Sequence, residues 1–419
     1  MPWGSTGPSR DRGPDRPLGI RAFNHISRFC ERFGGKPGID GDRLLERVER
    51  RSGLDWGDRW FLEPYRVLTQ AMNNEAELHP LGRIIMSVSL DLFLQNRIRL
   101  NHAVQTHPEQ IAPPLERPLY VIGLPRTGTT LLYNLLCQDP QCRPLMGWES
   151  LYPIRTARFW DRRRARGRRF ESLLNRMAPR LKSVHEFVSD GPEECTWLLH
   201  STFVSSAYVL QAKMPTYAQY LADLSPEIWH KVYTDYANTL KLLQAGTPGR
   251  HWVLKSPAHQ VALSALMDVV PNASIVQTHR DPKKMIGSCC SLFSIVRGIY
   301  SDAVRDRELG DEVLKNLEST LDRAMTAREE RPERFYDVSF EQLMQDPIAV
   351  VKRIYHRFGY DYDRRMEDGM RRWLAANPQG KHGKHAYDLE QFGLTEQRVD
   401  DTFGDYQQRY EAATRQSQG

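Results

Sequence analysis

PLYVIGLPRTGTTLLYNLL, residues 118–136, sets a short apolar run before a glycine-containing loop and a helical leucine pattern. Leu119 to Ile122 reads as a buried strand. The loop Gly123-Leu-Pro-Arg-Thr-Gly-Thr-Thr130 follows it. Leu131, Leu132, Leu135 and Leu136 then recur at helical spacing, so a helix opens near Gly128. Strand, loop and helix N-terminus together make an anion site. Backbone N–H groups at a helix start have no intrahelical partner, and the helix dipole places partial positive charge there.

The loop nearly spells the nucleotide-triphosphate pattern G-x-x-x-x-G-K-[ST]. Gly123, Gly128 and Thr130 fit, but Thr129 stands where the lysine belongs. That lysine normally reaches the β- and γ-phosphates, so its loss argues against ATP or GTP hydrolysis. The cation has moved inside the loop, to Arg126, which suits a phosphate carrying one further tetrahedral oxyanion group. Pro125-Arg126-Thr127-Gly128-Thr129-Thr130 resembles the 5′-phosphosulfate loop of sulfotransferases that use 3′-phosphoadenosine-5′-phosphosulfate (PAPS). The arginine and the leucine-rich flanks are similar to the bacterial branch of that superfamily and to tyrosylprotein sulfotransferases. The resemblance implies that these six residues hold the 5′-phosphosulfate and that the nucleotide product is PAP.

At 419 residues the chain can form one large α/β domain with additions, or two domains. Its apolar content of 40% and charged content of 26% are those of an ordinary globular protein. No apolar run approaches the ~18–20 residues of a membrane span. The opening MPWGSTGPSRDRGPDRPLG lacks an apolar core for export and reads as a disordered lead-in, residues 1–19. The six cysteines, Cys30, Cys137, Cys142, Cys195, Cys289 and Cys290, show no metal-ligand spacing and are expected as reduced thiols in a cytoplasm. No metal is expected: His382 and His385 lack an evident third ligand. The net charge of +6 suits a polyanionic co-substrate, and an acidic substrate or membrane surface as well.

Residues 20–110 read as helical, with amphipathic faces at Leu44, Leu45, Val48 and between Leu81 and Leu100. They are expected to cap an α/β domain spanning 111–405, with the proline-rich segment His107–Arg117 as linker and 406–419 as a frayed polar tail. His251–Ser256, Ala273–Thr278 and Arg334–Phe340 each read as a strand followed by a helix, the last helix running from Glu341 to Phe358. The rhythm predicts a central parallel sheet flanked by helices, with ligands at the carboxyl ends of the strands. The basic run Asp161–Arg169 reads first as a solvated face and second as a contact with anionic lipid or an acidic substrate. Peripheral membrane contact therefore stays open. Nucleic acid is not an expected partner, since no aromatic interleaving or reader motif accompanies the run.

Thr278-His279-Arg280-Asp281-Pro282 closes another apolar run, and Ser288 follows eight residues after Arg280. An arginine fork and a hydroxyl can clamp one phosphate. This spacing resembles the 3′-phosphate motif of sulfotransferases, which assigns Arg280 and Ser288 to that group. Gln379-Gly-Lys-His-Gly-Lys-His-Ala-Tyr387 is similar to the superfamily's C-terminal basic, glycine-rich loop, so Lys381, His382 and Gly383 are expected over the 3′-phosphate. The implied reaction is sulfuryl transfer from PAPS to a hydroxyl, or less often an amine. Arg126 and the loop amides carry the charge developing on the leaving group. Lys255 is placed to donate to the sulfuryl or bridging oxygen. Glu149, in Met146–Ser150, is the expected base, with an ion pair to Arg126 or Arg143 as its alternative role; His259 is the second candidate. His185, Asp190, Glu193 and Glu194 form a polar cluster before an amphipathic helix, and Asp190–Glu194 reads as a helix start with Pro192 at its first position; the functional alternative is that His185 or Glu194 lines the acceptor pocket. Trp148, Phe187, Phe203, Tyr208 and Phe293 are candidates for an apolar pocket that would take a small-molecule or lipid-like acceptor. Oligomeric state is not legible. A P-loop kinase or nucleotide hydrolase, and a catalytically silent nucleotide-binding protein, are the alternatives.

Overall fold

Five strands lie parallel in the order β2-β3-β1-β4-β5, with β1 at Leu119–Gly123, β2 at Cys142–Pro144, β3 at His251–Lys255, β4 at Ser274–His279 and β5 at Phe335–Ser339. The computed structural model describes residues 16–155, 160–179, 181, 186–378 and 388–416, the last six for their backbone only. Strands β1, β3 and β5 are buried at every position, as expected where helices cover both faces of a parallel sheet. Alternate residues serve opposite cores. Tyr120, Leu254 and Ile275 join Leu45, Tyr65 and Phe93 of the N-terminal helices in one continuous cluster. Val121, Val253 and Val276 face Leu132, Val350 and Met370 on the other side.

The chain leaves β1 for β2 and β3 on one side, then crosses to β4 and β5 on the other. That reversal is a topological switch point, where open α/β sheets bind ligands beyond the strand ends. The register brings those ends level: Val121 stands opposite Lys255 of β3 and Val276 of β4, and Gly123 opposite Thr278.

The N-terminal region is helical, as expected: Leu18–Gly34, Gly41–Ser52, Leu62–Asn74 and Pro80–Thr106, with a short helix Pro108–Ile111 inside the linker. Several boundaries differ from the sequence reading. The first helix starts at Leu18, and Arg16 already ion-pairs with Asp302, so order begins before residue 20. The expected helix 341–358 is two, Phe340–Gln345 and Pro347–Phe358. Pro347 has no N–H to continue the first, and the Asp346 carboxylate caps the second by accepting from the Ala349 amide at 2.9 Å. The helix Glu396–Gln416 runs through the stretch expected as a frayed tail, because Phe403 and Tyr406 bury on the sheet side. Tyr406 donates its hydroxyl to His279 Nδ1 at 2.8 Å, and His279 Nε2–H donates to Asp337 at 2.7 Å, which locks the end of β4 just before Arg280. Among the described residues, no helix is long and apolar enough to cross a membrane.

Candidate active site

The loop after β1 bends under strong steric constraint. At Gly123, φ +145°, a Cβ would stand 2.3 Å from Thr278 Oγ1 and 2.7 Å from the Thr278 carbonyl, so only glycine lets β1 and β4 close at this end. Thr127 is buried, and its hydroxyl donates to the Leu124 carbonyl at 2.7 Å and pairs with Thr278 Oγ1 at 2.6 Å. Its side chain therefore shapes the loop; a ligand there would meet its backbone. Arg126 adopts φ +72°, a left-handed conformation that costs a residue with a Cβ about 1 kcal/mol or more and is typical of a loop held in place for function. Gly128, φ +93°, precedes the helix Thr129–Leu136, whose first turn presents its amides to the loop's concave side.

Arg280 enters from the end of β4. Its Nη1 donates to the Arg126 carbonyl at 2.9 Å, and its guanidinium lies 4.0 Å from the centroid of the Phe340 ring. Phe340 in turn backs Gly128. Arg280 Nε is buried without a partner among the described residues. Burial first, and the neighbouring Arg126 charge second, push the Arg280 pKa down. Two guanidinium groups crowded in this way favour an anion between them. Ser288 is buried on the helix Pro282–Tyr300, which touches the loop through Cys289 Sγ, 3.4 Å from the Pro125 carbonyl. The structure thus brings Pro125–Thr130, Arg280 and Phe340 together, with Ser288 one position before the contact. Lys381, His382, Gly383 and His185 lie outside the described residues.

A second cluster faces the loop. The segment Asp190-Gly-Pro-Glu-Glu194 does not start a helix; Pro192 forms an isolated antiparallel bridge with Met146, and the next helix begins at Thr196. Glu193 N–H donates to the Leu145 carbonyl at 2.8 Å and Cys195 N–H to the Lys255 carbonyl at 2.9 Å. The segment is thereby tied across the ends of β2 and β3. Lys255 is buried and ion-pairs with Glu194, whose other oxygen accepts from Thr196 Oγ1 at 3.5 Å. Glu193 is buried beside Glu194. Desolvation, then the Glu194 charge, raises its pKa to about 7. The helix start expected over Asp190–Glu194 does not hold, and Glu193, which the sequence did not single out, reaches a cavity. The signal the sequence does offer is the pair of adjacent carboxylates itself, Glu193-Glu194.

Both clusters open onto one cavity of about 380 Å³. Arg126, Thr129, Thr130, Glu193, Glu194 and Thr196 form its polar end. Phe93, Phe170, Phe187, Trp197 and Phe293 are among the side chains of its apolar body. Phe187 and Phe293 are therefore where the sequence placed them. Phe203 and Tyr208 belong instead to the main core, and Trp148 packs under the Arg163 guanidinium. Buried His200 stacks between Phe93 and Trp197 in the wall of the same cavity.

The two expected bases do not reach this cavity. Glu149 is buried and clasped by Arg143 through both oxygens, at 2.6 and 2.8 Å, and it also accepts from the Met146 amide. Its alternative role, the ion pair with Arg143, describes the geometry. Glu149→Gln is expected to lower stability by about 3–5 kcal/mol, because it leaves a buried guanidinium uncompensated. Chemical denaturation measures that loss, and turnover per folded molecule stays near the parent's. A loss of turnover at unchanged stability would return Glu149 to the base role. His259 is buried among Tyr120, Tyr233 and Tyr236, with its Nδ1 3.2 Å from the Tyr233 hydroxyl. Burial pulls its pKa down to about 3, so it stays neutral inside an aromatic cage.

Comparison with known proteins points the same way. The model of the sulfotransferase family matches residues 118–364. The omega-hydroxy-beta-dihydromenaquinone-9 sulfotransferase Stf3 of Mycobacterium bovis, like that of Mycobacterium tuberculosis, is 26% identical over 308 residues, 70% of this chain and 74% of the relative. Among solved structures, sulfotransferase STF9 from Mycobacterium avium superposes with a TM-score of 0.80 at 29% identity, covering 89% of this chain and 97% of that one. Sulfotransferase STF1 from Mycobacterium tuberculosis H37Rv gives 0.74 at 28% identity, covering 87% and 98%.

Proposed function

Because this chain belongs to the sulfotransferase family, we propose that it transfers the sulfuryl group of PAPS to the hydroxyl of an apolar, lipid-like acceptor, releasing PAP and a sulfate ester. One cavity with two unlike ends carries this assignment: the anion loop and the Glu193–Glu194 carboxylates at one end, and an aromatic and aliphatic body at the other. Its volume lies in the range of small-molecule sites. The lipid-like acceptor is further supported by the relative whose name gives a dihydromenaquinone derivative.

The donor set suits a nucleotide with an anion at each end. The backbone amides at Gly128–Thr130 and the Arg126 side chain hold the 5′-phosphosulfate. Arg280, with its unpartnered Nε, and Ser288 hold the 3′-phosphate, with Lys381, His382 and Gly383 as further candidates. PAPS supplies an activated sulfuryl group. The protein then has to align an alcohol, remove its proton and stabilise the charge that builds on the leaving phosphate. Glu193 takes the proton, since a carboxylate with a pKa near 7 is both sufficiently ionised and sufficiently basic at neutral pH. Glu194 positions Lys255, whose ammonium adds positive charge beside the transferring group.

The test uses the purified full chain, sulfur-labelled PAPS and a panel of alcohols of rising chain length. Expected is PAP release with label in the long-chain alcohols and little in polar sugars. Labelled product from ATP in place of PAPS, with a strict magnesium requirement, would instead support a kinase.

A further inference from the structure

The helix Leu18–Gly34 is mounted inside out. Its polar side holds it to the protein. Asn24, its one buried residue, accepts from the Leu81 amide at 3.0 Å; Arg28 ion-pairs with Asp302, and Glu31 with Arg83. Leu18, Ala22, Ile26, Phe29 and Phe33, three or four residues apart, form the opposite stripe, and all are exposed. Ile26 is 62%, Phe29 57% and Phe33 80% exposed. A surface helix of a water-soluble domain shows the reverse arrangement. An apolar stripe this continuous marks a surface that binds something.

The stripe is not isolated. On the helix Pro80–Thr106, which carries Leu81 and Arg83, Ile84 and Val88 are also exposed, while the adjacent Ile85 and Ser89 line the acceptor cavity. On the helix Arg163–Met177, Leu173 is 53% exposed and lines that cavity as well. On these two helices, exposed apolar side chains therefore adjoin the cavity wall. Basic side chains border it: exposed Arg21 and Arg32 flank the stripe, and exposed Arg169 and Arg176 lie on the helix Arg163–Met177, with exposed Arg162 just before it.

We propose that this face docks on an anionic lipid bilayer. The helix Leu18–Gly34 lies in the interfacial plane, and the acceptor enters the cavity from the membrane past Ile85 and Leu173. The proposal rests on the reading of the acceptor as lipid-like. A second copy of the chain is the weaker occupant, because symmetric self-packing would set the arginines flanking the stripe against their own counterparts. Lipid phosphates neutralise them.

The experiment is flotation of the full chain with vesicles of phosphatidylcholine alone and with added phosphatidylglycerol, for the parent, F29D/F33D and R21E/R32E. The parent should bind the anionic vesicles. F29D/F33D should lose binding to both vesicle types by about 100-fold. R21E/R32E should lose it selectively on the anionic ones, by about tenfold or more. Both pairs are exposed, so thermal unfolding should be unchanged. PAP affinity and turnover on a short soluble alcohol should also stay at parental values, while KM for a vesicle-borne alcohol rises. Absence of parental vesicle binding, or a parental dimer that F29D/F33D dissociates, would overturn the proposal. Parental vesicle binding without sulfuryl transfer to any alcohol would instead count against the acceptor reading and leave the docking face standing.

Discussion

Arg280→Ala is expected to weaken PAP binding by about 100-fold or more, and adenosine 5′-monophosphate by only about fivefold. The asymmetry follows from the two tasks of one side chain. Its Nη1 donates to the Arg126 carbonyl, a single neutral acceptor worth about 1 kcal/mol, and that contact steadies the 5′ side of the site. Its Nε, buried without a partner among the described residues, and its charge would serve the 3′-phosphate on the proposed assignment. A desolvated guanidinium–phosphate pair is worth about 2–5 kcal/mol, which is a factor of about 30 to several thousand. Calorimetric titration of both nucleotides into parent and variant separates the two contributions. Equal losses for PAP and the monophosphate would mean that Arg280 acts only through the loop, and the 3′-phosphate assignment would fail. Arg280→Lys should recover little, because an ammonium cannot both hold the Arg126 carbonyl and stack on Phe340 as the planar guanidinium does.

The anion loop was legible because its chemistry is local. A strand, two glycines with left-handed or strained φ and a leucine-spaced helix occupy nineteen consecutive residues. The parallel sheet was legible for a related reason: each βα unit repeats the same short apolar run and helical pattern. Thr127 shows the limit of that reading. The motif names the residue, but only the register of β1 against β4 turns its hydroxyl towards Thr278 and away from a ligand. The proposed proton acceptor was the least legible part. Glu149 stands between Trp148 and Ser150 and Glu193 between Pro192 and Glu194, and the sequence offers an ion pair with Arg143 only as one of two readings of Glu149. Arg143 of β2 claims Glu149 within the same crossover, whereas Glu193 is delivered by hydrogen bonds to Leu145 and, through Cys195, to Lys255. The contacts that deliver Glu193 span long stretches of chain, so no window of sequence contains them. The inside-out helix Leu18–Gly34 was similarly hidden. Its periodicity reports two faces but not which of them the fold turns outward.

Glu193→Gln is expected to lower kcat by about 100- to 1000-fold, with PAP affinity unchanged within about twofold. Parental kcat should rise with pH as Glu193 loses its proton, with a midpoint of about 7. The variant should lack that limb, because glutamine is isosteric but neither accepts the proton nor titrates. Stability supplies an independent check of opposite sign. Burial and Glu194 raise the folded-state pKa from 4.5 to about 7, so the folded protein binds this proton more tightly than the unfolded chain does. The stability from that proton is full below pH 4.5 and is lost as pH rises towards 7, by up to about 3 kcal/mol. Glutamine removes this penalty, so relative to the parent the variant should gain stability between pH 5 and 8 while it loses turnover. Denaturant unfolding at pH 5 and pH 8 measures the gain. A variant that lost turnover and also became less stable at pH 8 would mark Glu193 as a structural carboxylate, and proton removal would then pass to Glu194, the other carboxylate at the polar end of the cavity.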